Sequence, residues 1–237
     1  MMMRIRTGIA GFDELVQGGL VAQRVYIVAG PPGSGKTTFG IQFLIQGAKE
    51  GERGMYVSLT EDPKNIIEDL SSFSFNLRRY TLAGLILFVD MGPLSIQYLN
   101  AVKSPNGLKS TYAQEVFKRI SSIVKAKGIK RLVIDSVLTL KYGSGDKEDQ
   151  NREIARFFRS LKDLKITVLI LSEMTDLSNY SPEHYMVHGV IFLHNFLNGH
   201  TMTRALQVIK MRGTAHDCDM HRMEITSDGI KVYPTKV

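Results

Sequence analysis

With 237 residues, 43% of them hydrophobic and 22% charged, the chain can bury one full core, and its longest apolar runs, such as 82–89, are too short to cross a bilayer, which excludes a membrane-spanning helix. Arg4 and Arg6 are followed by Asp13 and Glu14 with no apolar stretch between, so no signal peptide is expected; the lone Cys218 excludes an intramolecular disulfide, and a soluble cytoplasmic protein is expected. The net charge of +7 attracts polyanions, whether nucleotides, nucleic acid or an acidic protein, without choosing among them.

Taken in chain order, the apolar, β-branched run 25–29 reads as a buried strand, Lys36–Lys49 as a helix, 55–59 as a strand and 63–72 as a helix. A strand at 85–89 precedes 92–110, which holds Pro93, Pro105, Asn106 and Gly107 and reads as a surface loop. Tyr112–Lys127 is then a helix, 132–134 a strand, 151–164 a helix and 168–171 a strand. Such alternation predicts an α/β fold, with a mainly parallel sheet flanked by helices on both faces. Beyond Leu171 the rhythm changes: 190–194, 204–211, 222–226 and 230–233 follow one another with only turns between, marked by Asn198-Gly199 and Asp228-Gly229. These predict C-terminal antiparallel strands added to the parallel core. No repeat, low-complexity tract or linker divides the chain, so residues 1–237 are read as one domain.

The octet Gly30, Pro31, Pro32, Gly33, Ser34, Gly35, Lys36, Thr37 matches G-x-x-x-x-G-K-[ST] in full and lies between a predicted strand and a predicted helix. Glycines permit the backbone to wrap an anion, with amides pointing inward at its oxygens. Lys36 supplies a charge for the β- and γ-phosphates of ATP, and the Thr37 hydroxyl a ligand for Mg2+. Thr38 is included among the predicted nucleotide contacts. About a hundred residues downstream the apolar strand 132–134 ends in Asp135, which such folds place beside the phosphate loop as a Mg2+ ligand. Hydrolysis also needs a group that orients and deprotonates water. Glu61, after the strand 55–59, is the candidate; Thr60, Glu61 and Asp62 equally suit a helix N-cap before Pro63, with Asp62 the better placed.

These motifs, with Thr7-Gly8-Ile9-Ala10-Gly11-Phe12-Asp13-Glu14-Leu15, Gly18-Gly19-Leu20, Lys210-Met211-Arg212-Gly213-Thr214-Ala215-His216 and the ending from Ile225 to Pro234, resemble the KaiC-like branch of the RecA superfamily over nearly the whole chain. The chain is similar to single-domain archaeal KaiC-like ATPases and recombinase paralogues. The resemblance implies a RecA-like P-loop NTPase core, assembly into a homo-oligomeric, hexameric ring, and ATP bound between subunits. It implies that Glu61 is the second of a catalytic glutamate pair whose first member is Thr60 here, a departure that bears on the rate of hydrolysis. It implies that Lys210 and Arg212 reach the γ-phosphate of a neighbour's ATP, that Thr214 and His216 lie near base or ribose, and that Ser172 and Glu173 stand where a phosphate-sensing group is carried. His188 occupies a position where the family has Asp.

Three further features admit more than one reading. His216, Cys218 and His221 lie close together but do not complete the spacing of a four-ligand metal site. Arg152, Arg156 and Arg159 recur on one helical face opposite Ile154, Phe157, Phe158 and Leu161, which reads as a solvated face over a packed one, or as an anion-binding or subunit-contact stripe. By likeness to RecA cores, 141–150 and 174–189 would face a ring channel; the first mixes Lys141 and Lys147 with Asp146, Glu148 and Asp149, and the second carries no Lys or Arg, unlike a DNA channel. The expected function is therefore a ring-forming ATPase, slow in turnover, that regulates a protein partner; the alternative is a recombinase (RadA/RecA) paralogue that binds DNA, and a non-hydrolysing nucleotide scaffold is a third reading.

Overall fold

The computed structural model describes residues 2–102, 110–141, 147–174 and 182–236. Its strands are β1 (Arg4–Ile5), β2 (Leu20–Val21), β3 (Val25–Gly30), β4 (Gly54–Ser58), β5 (Ile86–Asp90), β6 (Arg131–Asp135), β7 (Thr167–Glu173), β8 (Gly189–Asn198), β9 (Thr201–Met211), β10 (Met220–Thr226) and β11 (Gly229–Lys236). Its helices are α1 (Phe12–Leu15), α2 (Lys36–Lys49), α3 (Pro63–Asp69), α4 (Leu77–Leu82), α5 (Gly92–Val102), α6 (Tyr112–Lys127), α7 (Lys147–Asp163) and α8 (Pro182–Met186).

Among the described residues, nine strands form one sheet in the order β11-β10-β9-β8-β3-β7-β6-β4-β5. From β8 to β5 every pairing is parallel, and β9, β10 and β11 continue the sheet antiparallel. The period of two along each strand divides the core. Tyr26 and Val28 face one apolar layer with Phe39, Phe43 and Leu44 of α2, while Val25, Ile27 and Ala29 face the other with Val116 and Ile120 of α6 and Phe158 and Leu161 of α7. The sheet is thus covered on both faces, as a parallel sheet requires.

The helix at Gly92–Val102 corrects the loop reading of 92–110. Leu94 and Tyr98, four residues apart, pack against the α6–α7 layer, and Pro93 is tolerated because it falls in the first turn. Residues 103–109, with Pro105, Asn106 and Gly107, lie outside the described residues. Helix α7 starts at Lys147, before the predicted 151, because Glu148 and Asp149 make a polar but dipole-favourable first turn with no apolar period to reveal it. In the β8–β9 hairpin Asn198 pairs with Thr201, so Gly199, at φ +61, takes the first central position of the turn.

One buried cation ties the amino-terminal segment to this core. Arg131, fully buried at the start of β6, donates from Nε to Glu52 at 2.6 Å and from a terminal nitrogen to Glu50 at 2.7 Å. Its other terminal nitrogen donates to the carbonyls of Arg6 (2.7 Å) and Phe43 (3.1 Å), and the guanidinium lies 4.9 Å from the Phe43 ring centre. All three guanidinium nitrogens are hydrogen-bonded and two carboxylates face the charge, which is the condition for a buried charge to be tolerated. Replacing Arg131 with Ala leaves two carboxylates and two carbonyls without their donor; chemical denaturation of this variant is expected to show a loss of roughly 3 to 5 kcal/mol.

Candidate nucleotide-binding site

Strand β3 ends at Gly30 and α2 begins at Lys36, so 31–35 form the connecting loop. Two positions show why glycine is needed. Gly35, the N-cap of α2, has φ +100, and a Cβ there would lie 2.8 Å from Ile225 Cδ1. Gly33 has φ +73. Lys36 folds back over the loop and donates to the carbonyls of Gly30 and Pro31, both at 2.9 Å. Burial lowers the pKa of its ammonium, and the carboxylates of Glu173 and Asp135 oppose that shift. The loop therefore holds its cation against two of its own carbonyls.

Asp135 ends β6, two strands from β3. Burial raises its carboxyl pKa, opposed by a hydrogen bond from Tyr56 and by the charge of Lys36. The Tyr56 hydroxyl donates to Asp135 Oδ2 at 2.5 Å, and the nearby Thr37 hydroxyl acts to lower the pKa of both groups. Tyr56 is fully buried on β4 and was not singled out by sequence reasoning; a tyrosine inside an apolar strand carries no local sign that its hydroxyl faces a carboxylate. Glu173, at the end of β7, stands opposite Gly30 in register and its charge acts on both Lys36 and Asp135.

Glu61 is exposed beyond β4. The turn carrying it is fixed by Ser58, whose hydroxyl donates to the Glu61 carbonyl (2.6 Å) and accepts from its N–H (3.1 Å). The N-cap of α3 is Asp62, which accepts from Lys64 N–H at 2.8 Å, so Glu61 is not the cap. Burial raises its carboxyl pKa, as do the charges of Asp69 and Asp135. Asp62 and Ser58 together leave the Glu61 side chain available at the same sheet end as the phosphate loop.

The antiparallel extension adds a wall on the other side. Arg204 donates from Nε to the Gly33 carbonyl at 3.3 Å, and Asn195 lies beside Gly33. A cavity of about 350 Å3 opens there, lined by Thr201–Arg204 and Arg222–Thr226, among them Ile225, which occupies the space a side chain at Gly35 would need. Its volume is in the range of small-molecule sites. The buried Ser34 Oγ and Asn195 Oδ1 have no hydrogen-bond partner, although such groups are normally satisfied. Orphaned polar atoms beside a phosphate loop and an adjoining cavity fit a nucleoside triphosphate.

The structure does not bring Lys210, Arg212, Thr214 and His216 to this loop. Arg212 N–H donates to the His188 carbonyl and His188 N–H to the Val25 carbonyl, which places them at the opposite end of β3, about 17 Å from Gly30 at about 3.3 Å per residue. Lys210 and Arg212 do share a face, since both donate to the Tyr185 carbonyl, at 3.1 and 3.2 Å, and Lys210 also to that of His184 at 3.1 Å. Thr214 accepts from Arg4 at 3.2 Å, and the His216 ring lies 3.1 Å from the Thr214 carbonyl.

The model for the family described as "ATPase: KaiC" matches residues 5–237. The chain belongs to the KaiC ATPase family. It is 36% identical to a UPF0273 protein of Methanopyrus kandleri over 99% of this chain and 93% of that one. It is 32% identical to the circadian clock oscillator protein KaiC of Parathermosynechococcus lividus over 97% of this chain, and spans only 42% of that longer protein. A crystal structure of a KaiC-like protein from Pyrococcus horikoshii aligns over 99% of this chain and 100% of that one, with TM-score 0.83 and 30% identity. The fold is therefore RecA-like, as the motifs imply, and membership of this ATPase family makes the loop an ATP-binding P-loop. No helix of the described residues is long and apolar enough to cross a membrane.

The His188 ring is held by the backbone of β3: its Nδ1 accepts from Val25 N–H at 3.2 Å. Burial, with the charges of Lys162, Arg24 and Arg212, lowers its pKa to about 4 from 6.5. The native state then binds fewer protons than the unfolded chain between these values, so His188 makes stability fall as pH drops through that window. A His188→Gln variant keeps an acceptor for Val25 and is expected to lose less of its unfolding midpoint than the native protein between pH 7 and pH 5, as read by thermal denaturation.

Proposed function

We propose that this chain, as one RecA-like unit over residues 1–237, binds Mg-ATP and hydrolyses it slowly in a cytoplasmic, hexameric homo-oligomeric ring that regulates a protein partner. The observation that carries the reading is the separation of two complementary half-sites along β3: a phosphate cradle at its carboxyl end and a pair of cations, Lys210 and Arg212, at its amino end. One molecule cannot fold these onto a single triphosphate. Head-to-tail association brings one copy's cradle to another's cations, and a heterologous contact of that kind generates rings when the rotation closes.

Within one subunit, Gly30–Thr38 would hold the phosphates and Lys36 would release the two carbonyls it now contacts to face the β- and γ-oxygens. Thr37 and Asp135 would hold Mg2+, with Tyr56 orienting the Asp135 carboxylate. Bound Mg2+ supplies charge neutralisation at the triphosphate. Glu61 would orient the attacking water and accept its proton. The cavity beside Arg204 and Ile225 would take base and ribose, and a neighbour's Lys210, Arg212, Thr214 and His216 would close the site. Slow turnover is inferred from Thr60, which stands in the position before Glu61 where the resemblance implies the first glutamate of a catalytic pair.

The recombinase reading has less support. Arg152 is paired with Asp149 at 2.6 Å and Arg156 with Glu153 at 2.9 Å, so two of the three arginines of the α7 stripe are already compensated. Residues 142–146 and 175–181, within the segments expected to face a channel, lie outside the described residues.

Lys36→Ala is expected to abolish tight nucleotide binding in equilibrium titration, whereas Glu61→Gln keeps binding and stops turnover. Arg212→Ala should lose roughly 10³-fold or more in turnover with its own loop intact. Mixing the Arg212→Ala and Glu61→Gln proteins should restore part of the ATPase rate, because some shared sites pair an intact Glu61 with an intact Arg212. Subunit exchange followed by fluorescence transfer, with no recovery of ATPase in any mixture, would show that sites are not shared.

A further inference from the structure

Some of the molecule's cations meet a carboxylate and many do not. Arg6, Arg131, Arg152, Arg156 and Arg222 each meet a carboxylate. Among the described residues, Arg24, Arg159, Lys162, Lys210 and Arg212 meet none, yet they gather at one place. Arg24 donates to the Arg212 carbonyl at 2.5 Å and flanks Gly213. Lys210 and Arg212 rest on the carbonyls at the end of α8. Helix α7 packs on α8 and on β3, and its Phe158 and Leu161 share a core with Val187 and Val190 on either side of His188. Lys162, in the last turn of that packed helix, is partly buried, and its charge acts on His188 and Lys210.

We infer that Lys162 is a third cation of the site formed by Lys210 and Arg212, and that together with Arg24 they form a polyphosphate-accepting surface at the amino end of β3. This deepens the shared-site reading and rests on it for the source of the anion: a second copy's nucleotide. The electrostatics agree. Burial lowers the Lys162 pKa, and so do Arg212 and Arg159; Lys210 is lowered by burial, Arg212 and Lys162. Each cation thus raises the cost of charging the next, and no described carboxylate relieves it. His188 adds to this, since a neutral ring occupies the place where a carboxylate would have offset the charge. Like charges at close quarters oppose folding, and an anion from outside relieves their repulsion.

A competing explanation is local. Lys162 lies in the last turn of α7, where a cation favours the helix dipole and its removal would destabilise the fold. The two explanations predict opposite signs. Lys162→Met keeps the aliphatic stem and removes the charge. In nucleotide-free protein it is expected to raise the unfolding midpoint by about 2 °C, because repulsion is relieved. The anion is then tested directly in a Lys36→Ala background, which disables the phosphate loop. Inorganic tripolyphosphate should bind that protein in a salt-dependent manner, Lys162→Met should weaken the binding about tenfold by calorimetric titration, and Lys162→Arg should restore it. A lowered midpoint for Lys162→Met, or equal tripolyphosphate affinity with and without Lys162, overturns the assignment. If tripolyphosphate binds through Lys162 while mixed subunits never share a site, the ring reading falls and the polyphosphate surface stands.

Discussion

The organisation of this protein depends on the burial of β3. Its six residues are shielded on both faces and flanked in the sheet by β7 and β8, both parallel to it. A parallel strand in that position has every lateral hydrogen bond satisfied and its neighbours' carboxyl ends aligned with its own. That alignment puts Gly30, Glu173, Asp135 and the turn after Ser58 at one edge. The carboxylates there converge on Lys36 because strand polarity aligns them, with Tyr56 tying β4 to β6 at the point where Asp135 leaves the sheet.

The same burial separates chemistry of opposite sign. The carboxyl edge gathers Asp135 and Glu173 around one lysine with Glu61 nearby, and burial first, then neighbouring carboxylates, raises the carboxyl pKa of Asp135 and Glu61. The amino edge gathers cations whose neighbours are carbonyls. Each edge is electrostatically incomplete, and the incompleteness is complementary. A nucleoside triphosphate with its metal ion, presented from one copy to the next, is the kind of group that relieves both. The antiparallel strands serve this arrangement twice: β8 and β10 supply the wall beside Gly33 and Gly35, while the return of β9 carries Lys210 and Arg212 back to the far end.

Much of the loop was legible from residue order alone, for a physical reason. A strand that must end, wrap an anion and start a helix within a few residues needs glycine at fixed places and a lysine and hydroxyl just after, so its geometry is written locally. The strands were legible because burial on both faces demands unbroken β-branched runs. Helix α5 was not, because Pro93 and the residues after it look like loop punctuation until Leu94 and Tyr98 find the α6–α7 layer. The shift of α7 to Lys147 has the same origin, in a polar turn whose favourable dipole contact leaves no periodic mark.

The sequence by itself determined the fold class, the phosphate loop, the strand-end aspartate and the family, since each depends on local chemistry or on an ordered series of motifs. Only the tertiary structure decided which side chains meet. It paired Tyr56 with Asp135, set Arg204 and Asn195 against Gly33, and left Lys162 among like charges. Those outcomes depend on contacts between residues tens to well over a hundred positions apart, or on the face a side chain takes once a helix is packed, and neither is encoded in any short stretch of chain.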